Sequence, residues 1–339
     1  MDMAKQWLAS GMALVVCASA IAQDGKRTER DAAAAGGPEA IMGSVVQLKA
    51  KALPNARSNA TLGRNREGTG IIIDSNGHVL TIGYLVIEAE SIELTTSDNK
   101  TVPATMVGYD HATGFGLLRA TQPIGVKPIE IGSAASLNVQ EPVIILPHGG
   151  RQSASIARVM SKRPFAGSWE YQLDQAIFVS PPTQAWAGAA LINREFKLVG
   201  VGSLLVRDSG GDGNAEAGNM FVPIDVLKPI LADLIAKGKR AGPTRPWLGL
   251  ATEEFHGRLL VTRVAPESPA EKAGLQPGDL VLGVGKDSVK NHAELYGKMW
   301  GIGAAGVDVP LKVLQGADMR DIKVKSIDRA EYFRDKPVH

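Results

Sequence analysis

Three kinds of residue in this sequence could do chemistry: hydroxyls, imidazoles and clustered carboxylates. Ser180 and Thr183 open the stretch "SPPTQAWAGAALIN" (180–193), and His111 stands well upstream. A hydroxyl attacks a carbonyl only when a neighbouring base takes its proton and a third group holds that base. Nothing in the strand pattern brings these three residues together, so chance co-occurrence is the simpler reading. His78 falls in a hairpin turn, His148 in "PHGG", and His256 and His292 in the C-terminal part. Their spacings match no metal motif, which leaves them solvated or locally hydrogen-bonded. Asp208, Asp212, Asn214 and Glu216 in "DSGGDGNAEAG" depart from the calcium-loop spacing and read as a polar surface loop. No cofactor and no metal site is expected.

The elements that would position such residues are mostly strands. Thirty-eight glycines separate short β-branched runs, as in an all-β protein with many tight turns. "GTGIIIDSNGHVLTIGYLV" is two apolar runs joined at Asn76-Gly77, a pair suited to a type I′ turn. "SIELTTSDNKTVPATMVGYD" repeats the form. The spacing predicts a helix only at "PIDVLKPILADLIAKGK", with Asp225 as N-cap, Pro229 in the first turn and Gly238 as the stop. "KGKRAGPTRP" reads as an exposed linker that few contacts cross. The formal net charge of +2, with signs interspersed, excludes a dedicated nucleic-acid binder.

Residues 1–22 carry the pattern of a signal peptide: a Lys, an apolar run, then Ala20 and Ala22 before a cut at Gln23. The run is too short for a membrane span, so none is expected after cleavage. Cys17, the one cysteine, lies in this segment; lipidation there is the alternative. Residues 23–40 form a charged, Ala-rich leader. The expected location is the periplasm.

Four segments now carry a resemblance. "GTGIIIDSNGHVLT", "VGYDHATGFGLL", "PPTQAWAGAALIN" and "MFVPIDVLKPIL" stand in the order and at about the spacings of the HtrA/DegP family of trypsin-like proteases. The resemblance implies a mainly β chain: a trypsin-like double antiparallel β-barrel over 41–237, a linker over 238–246, and a PDZ domain with short helices over 247–330. Position by position, the family's base histidine falls on Tyr84, its orienting aspartate on Gly114 and its nucleophilic serine on Ala187. No catalytic residue is therefore assigned. A phenol is mostly protonated near neutral pH and does not replace imidazole as a base. The oxyanion-loop glycine falls on Ala185, with Trp186 beside it, either as a plug in the cleft or as an ordinary packed aromatic.

"RPWLGL", "APESPAEKAGLQPGDLVLGVGKDSVKN" and "HAELYGKMWGI" resemble the HtrA-type PDZ domain. The resemblance implies that the amides of Leu248, Gly249 and Leu250 bind a peptide's terminal carboxylate, while the adjoining strand pairs with the peptide. Leu295 and Met299 either line the side-chain pocket or belong to the core. The expected function is an HtrA-like pseudoprotease that binds peptide C-termini or unfolded proteins as adaptor, scaffold or chaperone. The alternatives are a serine endopeptidase of periplasmic quality control using displaced residues, and a structural subunit of an envelope assembly. The family is often trimeric through its N-terminal segment, but this leader differs in character, so a homo-oligomer is left open.

Overall fold

A computed structural model describes residues 41–333. The signal peptide and leader expected over 1–40 lie outside the described residues. The chain is mainly β. Strands β1 (Val45–Ala52), β2 (Asn65–Ile72), β3 (His78–Ile82), β4 (Ala89–Thr95), β5 (Thr101–Tyr109) and β6 (Phe115–Ala120) close into a barrel of order β1-β2-β3-β6-β5-β4. Strands β7 (Pro142–Leu146), β8 (Ser155–Gly167), β9 (Tyr171–Ser180), β10 (Ala190–Ile192), β11 (Leu198–Val206) and β12 (Gly218–Pro223) close a second, of order β10-β11-β12-β9-β8-β7. Closure leaves neither barrel with an unpaired edge. Leu48, Leu80, Phe115 and Leu117 of the first barrel share one core cluster with Phe178, Val201 and Met220 of the second, so the barrels pack on each other.

Two local expectations need correction. The β2–β3 hairpin forms, but of the pair only Gly77 has positive φ. The connection runs longer than a two-residue turn because Asp74 organises it: its carboxylate accepts the amides of Asn76 (2.9 Å) and His78 (3.0 Å) and contacts His78 Nδ1 at 2.6 Å. The expected helix begins late, at Leu231, and ends at Lys237 with Gly238 in the left-handed cap. Pro229 has no N–H for a helical turn ahead of Leu231. Asp225 caps another segment instead, accepting from Ser133 Oγ (2.7 Å) and the Ala134 amide.

The tail adds β13 (Pro246–Trp247), β14 (Leu250–Phe255), β15 (Arg258–Val264), β16 (Leu280–Val284), β17 (Asp287–Ser288), β18 (Asp308–Gln315), β19 (Asp318–Lys325) and β20 (Ile327–Asp328). Its main sheet runs β14-β15-β16-β18-β19, and helix His292–Gly301 packs on it. Asn291 starts that helix by accepting the Glu294 amide, and Glu294 accepts the Lys290 amide in return, a reciprocal cap.

The tail is not loosely hung. Arg57 of the first barrel donates to the Tyr332 carbonyl at 2.6 Å and pairs with Glu267. Arg240 of the connecting segment pairs with the buried Asp110 at 2.9 Å. The expectation of few contacts across this boundary is not met, because charged groups on both sides find partners.

Candidate functional site

Tyr84, Gly114 and Ala187 are brought to one region where the barrels meet. Tyr84 sits on a 3₁₀ turn, Gly83–Leu85, that follows β3. The Gly83 amide donates to the Gly114 carbonyl at 2.7 Å, which places Tyr84 beside the loop leading into β6. No side chain fits at Gly83, since an added Cβ would lie 1.9 Å from the Tyr109 ring. Tyr84 then reaches across the barrels and donates its hydroxyl to the Ser203 carbonyl at 2.9 Å. Burial pushes its phenol well above the ordinary range, although the neighbouring Trp186 pulls the other way.

The loop around Ala187 is held from both barrels. The Ala187 carbonyl accepts the Thr69 amide (2.9 Å), and the Gly188 amide donates to the Gly202 carbonyl (2.9 Å). The Ala185 amide donates to Thr183 Oγ1 at 3.2 Å, so it already has an acceptor. Trp186 is half-buried and lies next to Tyr84. At Ala187 itself the loop presents a methyl group, which has no electron pair to offer a carbonyl.

The alternative residues are not assembled. Ser180 Oγ donates to the Ala217 carbonyl at 2.9 Å, and His111 lies between the rings of Tyr109 and Phe333. Sequence reading missed a different set beside Ala187: Thr69 Oγ1 lies 3.2 Å from His148 Nδ1, and His148 Nε2 lies 3.7 Å from Glu67. These are the types of a hydroxyl–imidazole–carboxylate relay. Thr69, however, is only 1% exposed, and its hydroxyl also accepts the His148 amide at 3.0 Å. Asp208 and Asp212 are turned onto their own loop, accepting the amides of Gly211, Gly213 and Asn214. Among the described residues no cluster of three or more His, Cys, Asp or Glu is placed to hold a metal ion.

In the tail, the amides of Leu248, Gly249 and Leu250 converge on a single carboxylate, at 2.9, 2.7 and 2.8 Å. Gly249 makes the convergence possible: its φ is +92°, and an added Cβ would lie 2.4 Å from Ser268 Cβ. The carboxylate is that of Glu170, in the turn between β8 and β9. Burial pushes the Glu170 carboxyl up, against the pull of the three amides and of Arg329. Leu295 and Met299 are buried in the tail's core with Leu248 and Leu250. The helix residue that faces Glu170 is Tyr296, which sequence reading did not single out. Its hydroxyl donates to the Gly167 carbonyl at 2.6 Å and accepts the Glu170 amide at 3.0 Å. The signal was a stripe of rings one helical turn apart, His292, Tyr296 and Trp300, whose centroids lie 5.9 and 5.2 Å apart.

The family model for a trypsin-like peptidase domain matches residues 68–201, and that for a PDZ domain matches residues 246–326. A probable periplasmic serine endoprotease DegP-like from Ectopseudomonas mendocina (strain ymp) is 28% identical over 284 residues, covering 77% of this chain and 57% of the relative. Serine protease PepD from Mycobacterium tuberculosis is 31% identical over 268 residues, covering 71% of this chain and 57% of the relative. The chain thus spans rather more than half the length of these curated relatives. Among solved structures, the HtrA-type protease AlgW with decapeptide overlays with a TM-score of 0.51 at 16% identity, over 88% of this chain and 98% of that one, a likeness of fold. A trypsin-like peptidase domain followed by a PDZ domain is what these matches share, and together they support membership of the HtrA family.

Proposed function

We propose that this protein is an exported HtrA-like pseudoprotease that recognises peptide C-termini or unfolded segments rather than hydrolysing them. The convergence of the Leu248, Gly249 and Leu250 amides carries the reading. Three N–H groups aimed at one carboxylate are the means by which a loop of this kind captures a chain terminus, and β14 beside it offers a strand for pairing. The HtrA-type protease AlgW, whose fold this chain shares, was solved with a decapeptide, which supports peptide binding here. Two positions speak against hydrolysis: Ala187 has no nucleophile, and Tyr84 is a half-buried phenol whose hydroxyl already donates to the Ser203 carbonyl. We take the barrels as 41–237, the connection as 238–246 and the PDZ unit as 247–330. The periplasmic relatives support a periplasmic location. Such a protein acts as adaptor, scaffold or holdase.

The test pairs two assays on the purified protein. Casein digestion is expected at background, and labelled peptides with a free C-terminus are expected to bind at micromolar affinity, about −8 kcal/mol. Turnover that co-elutes with the protein and is blocked by a serine-directed inhibitor overturns the reading.

A second reading, a working endopeptidase with displaced residues, draws on the names of the relatives and on the Thr69–His148–Glu67 set. It requires cleavage that disappears in Thr69→Ala and in His148→Ala.

A further inference from the structure

The carboxylate in the PDZ loop belongs to this same chain. We propose that the β8–β9 turn, Gly167 to Glu170, is a built-in ligand of the PDZ groove, so that an outside peptide C-terminus binds only by displacing it. This inference rests on the peptide-recognition reading above and names what regulates that site.

The turn reproduces two separate features of a bound C-terminal peptide. The Glu170 carboxylate takes the amides of Leu248, Gly249 and Leu250, as a terminal carboxylate would. The Ser168 carbonyl accepts the Thr252 amide at 3.0 Å, so the free side of β14 is paired as an added strand would pair it. Tyr296 clamps the turn between these points through Gly167 and Glu170. Ala166 packs against the tail's own core, and Glu170 itself is 7% exposed. The backbone at Glu170 has φ +57°, a conformation unfavourable for a residue with a side chain unless its surroundings compensate. Here the compensation is the three amides. An ordinary exposed hairpin would place a glycine or asparagine at such a position.

Three donors holding one carboxylate cannot hold a second. Because the turn is tethered, its effective concentration at the groove is high without any outside ligand. The apparent affinity for a free peptide is then reduced by the fraction of molecules in which the turn is undocked. A peptide that wins the groove also frees the β8–β9 hairpin of the second barrel, and with it one of the contacts that hold the tail to the barrels.

The experiment uses the full mature chain as wild type, Glu170→Ala and Glu170→Gln. Its probes are fluorescein-labelled decapeptides ending in Val, Leu or Phe, each with a free or an amidated C-terminus. Free-carboxylate peptides are expected to bind Glu170→Ala at least ~10-fold more tightly than wild type. Glu170→Gln falls between, since a neutral amide is a weaker acceptor. Equal affinities for wild type and Glu170→Ala overturn the self-occupied groove and leave peptide recognition standing. Hydrogen exchange at Leu248, Gly249 and Leu250 provides the direct readout, with Leu117 in the first barrel as the folding control. Protection lost in Glu170→Ala at those three amides alone supports the built-in ligand even if no decapeptide binds, and in that case it is the peptide-recognition reading that fails. Unchanged protection overturns the inference whatever the peptides do.

Discussion

The hydroxyl of Tyr84, on the first barrel, is hydrogen-bonded to the carbonyl of Ser203, on the second, at 2.9 Å. This contact spans the seam where the resemblance places a triad. At the position where the resemblance puts a base, the phenol makes a cross-barrel tie.

Tyr84→Phe should therefore cost about 1 kcal/mol of stability, the net worth of one hydrogen bond, and should leave casein digestion as it is in wild type. Urea melts check the first part. Ala187→Ser alone should leave casein intact, because neither the Tyr84 phenol nor Gly114 replaces an imidazole and its orienting carboxylate. Turnover in that single variant would show that another base serves the loop.

Gly188→Ala should be far more damaging than its chemistry suggests. An added Cβ would lie 2.1 Å from the Thr69 carbonyl oxygen and 2.8 Å from Thr81 Oγ1, on a backbone with φ +76°. Both obstacles come from the first barrel, so the loop and the seam must move together. A loss of about 3 kcal/mol is expected, read as a lowered denaturation midpoint.

Tyr296→Phe removes one oxygen that serves both Gly167 and Glu170. The Glu170 amide is then buried without its acceptor, at a cost of about 1–3 kcal/mol. Hydrogen exchange at Leu248 to Leu250 should quicken in step, since the turn loses its clamp. Exchange that stays at the wild-type rate would show that the three amides suffice alone.

Acidification should loosen the packing around His111. Burial first, and the Arg329 charge second, hold this imidazole well below its ordinary range. In the unfolded chain it takes up a proton near pH 6.5, whereas in the folded chain it does so only at much lower pH. The unfolded state therefore binds more protons through that window, and stability falls as pH drops below about 6.5. His111→Phe, which keeps a ring between Tyr109 and Phe333, should flatten this part of the pH–stability curve.

The strands were legible, because alternating β-branched runs and turn residues are local signals, whereas their closure into two barrels came only from the resemblance. The late start of the Leu231–Lys237 helix was not, since what occupies Asp225 is Ser133 and Ala134, far away in the chain. Asn76-Gly77 marked the right hairpin but the wrong turn, because the side chain of Asp74 outcompetes the two-residue geometry. At the PDZ loop the receiving amides could be placed by resemblance alone. Their occupant could not, because a glutamate in a hairpin turn has no periodicity and meets Leu248 only through the fold. Tyr296 hid for a related reason: a tyrosine on a helix announces burial, not what its hydroxyl holds.

Gly114 restricts which side chains the seam accepts. Its φ of +81° is a conformation that L-residues rarely adopt, and an added Cβ would meet the Tyr171 hydroxyl at 3.3 Å. That hydroxyl is buried and donates to the Thr113 carbonyl at 2.7 Å, so it does not yield freely. An aspartate introduced at this position meets a left-handed backbone that costs about 1 kcal/mol or more before any charge is desolvated. A carboxylate placed here is therefore uphill in the present fold, whatever stands at Tyr84 and Ala187. The backbone at this one glycine acts as a lock, so a change of side chain at the seam is tolerated only where the chain can first change its φ.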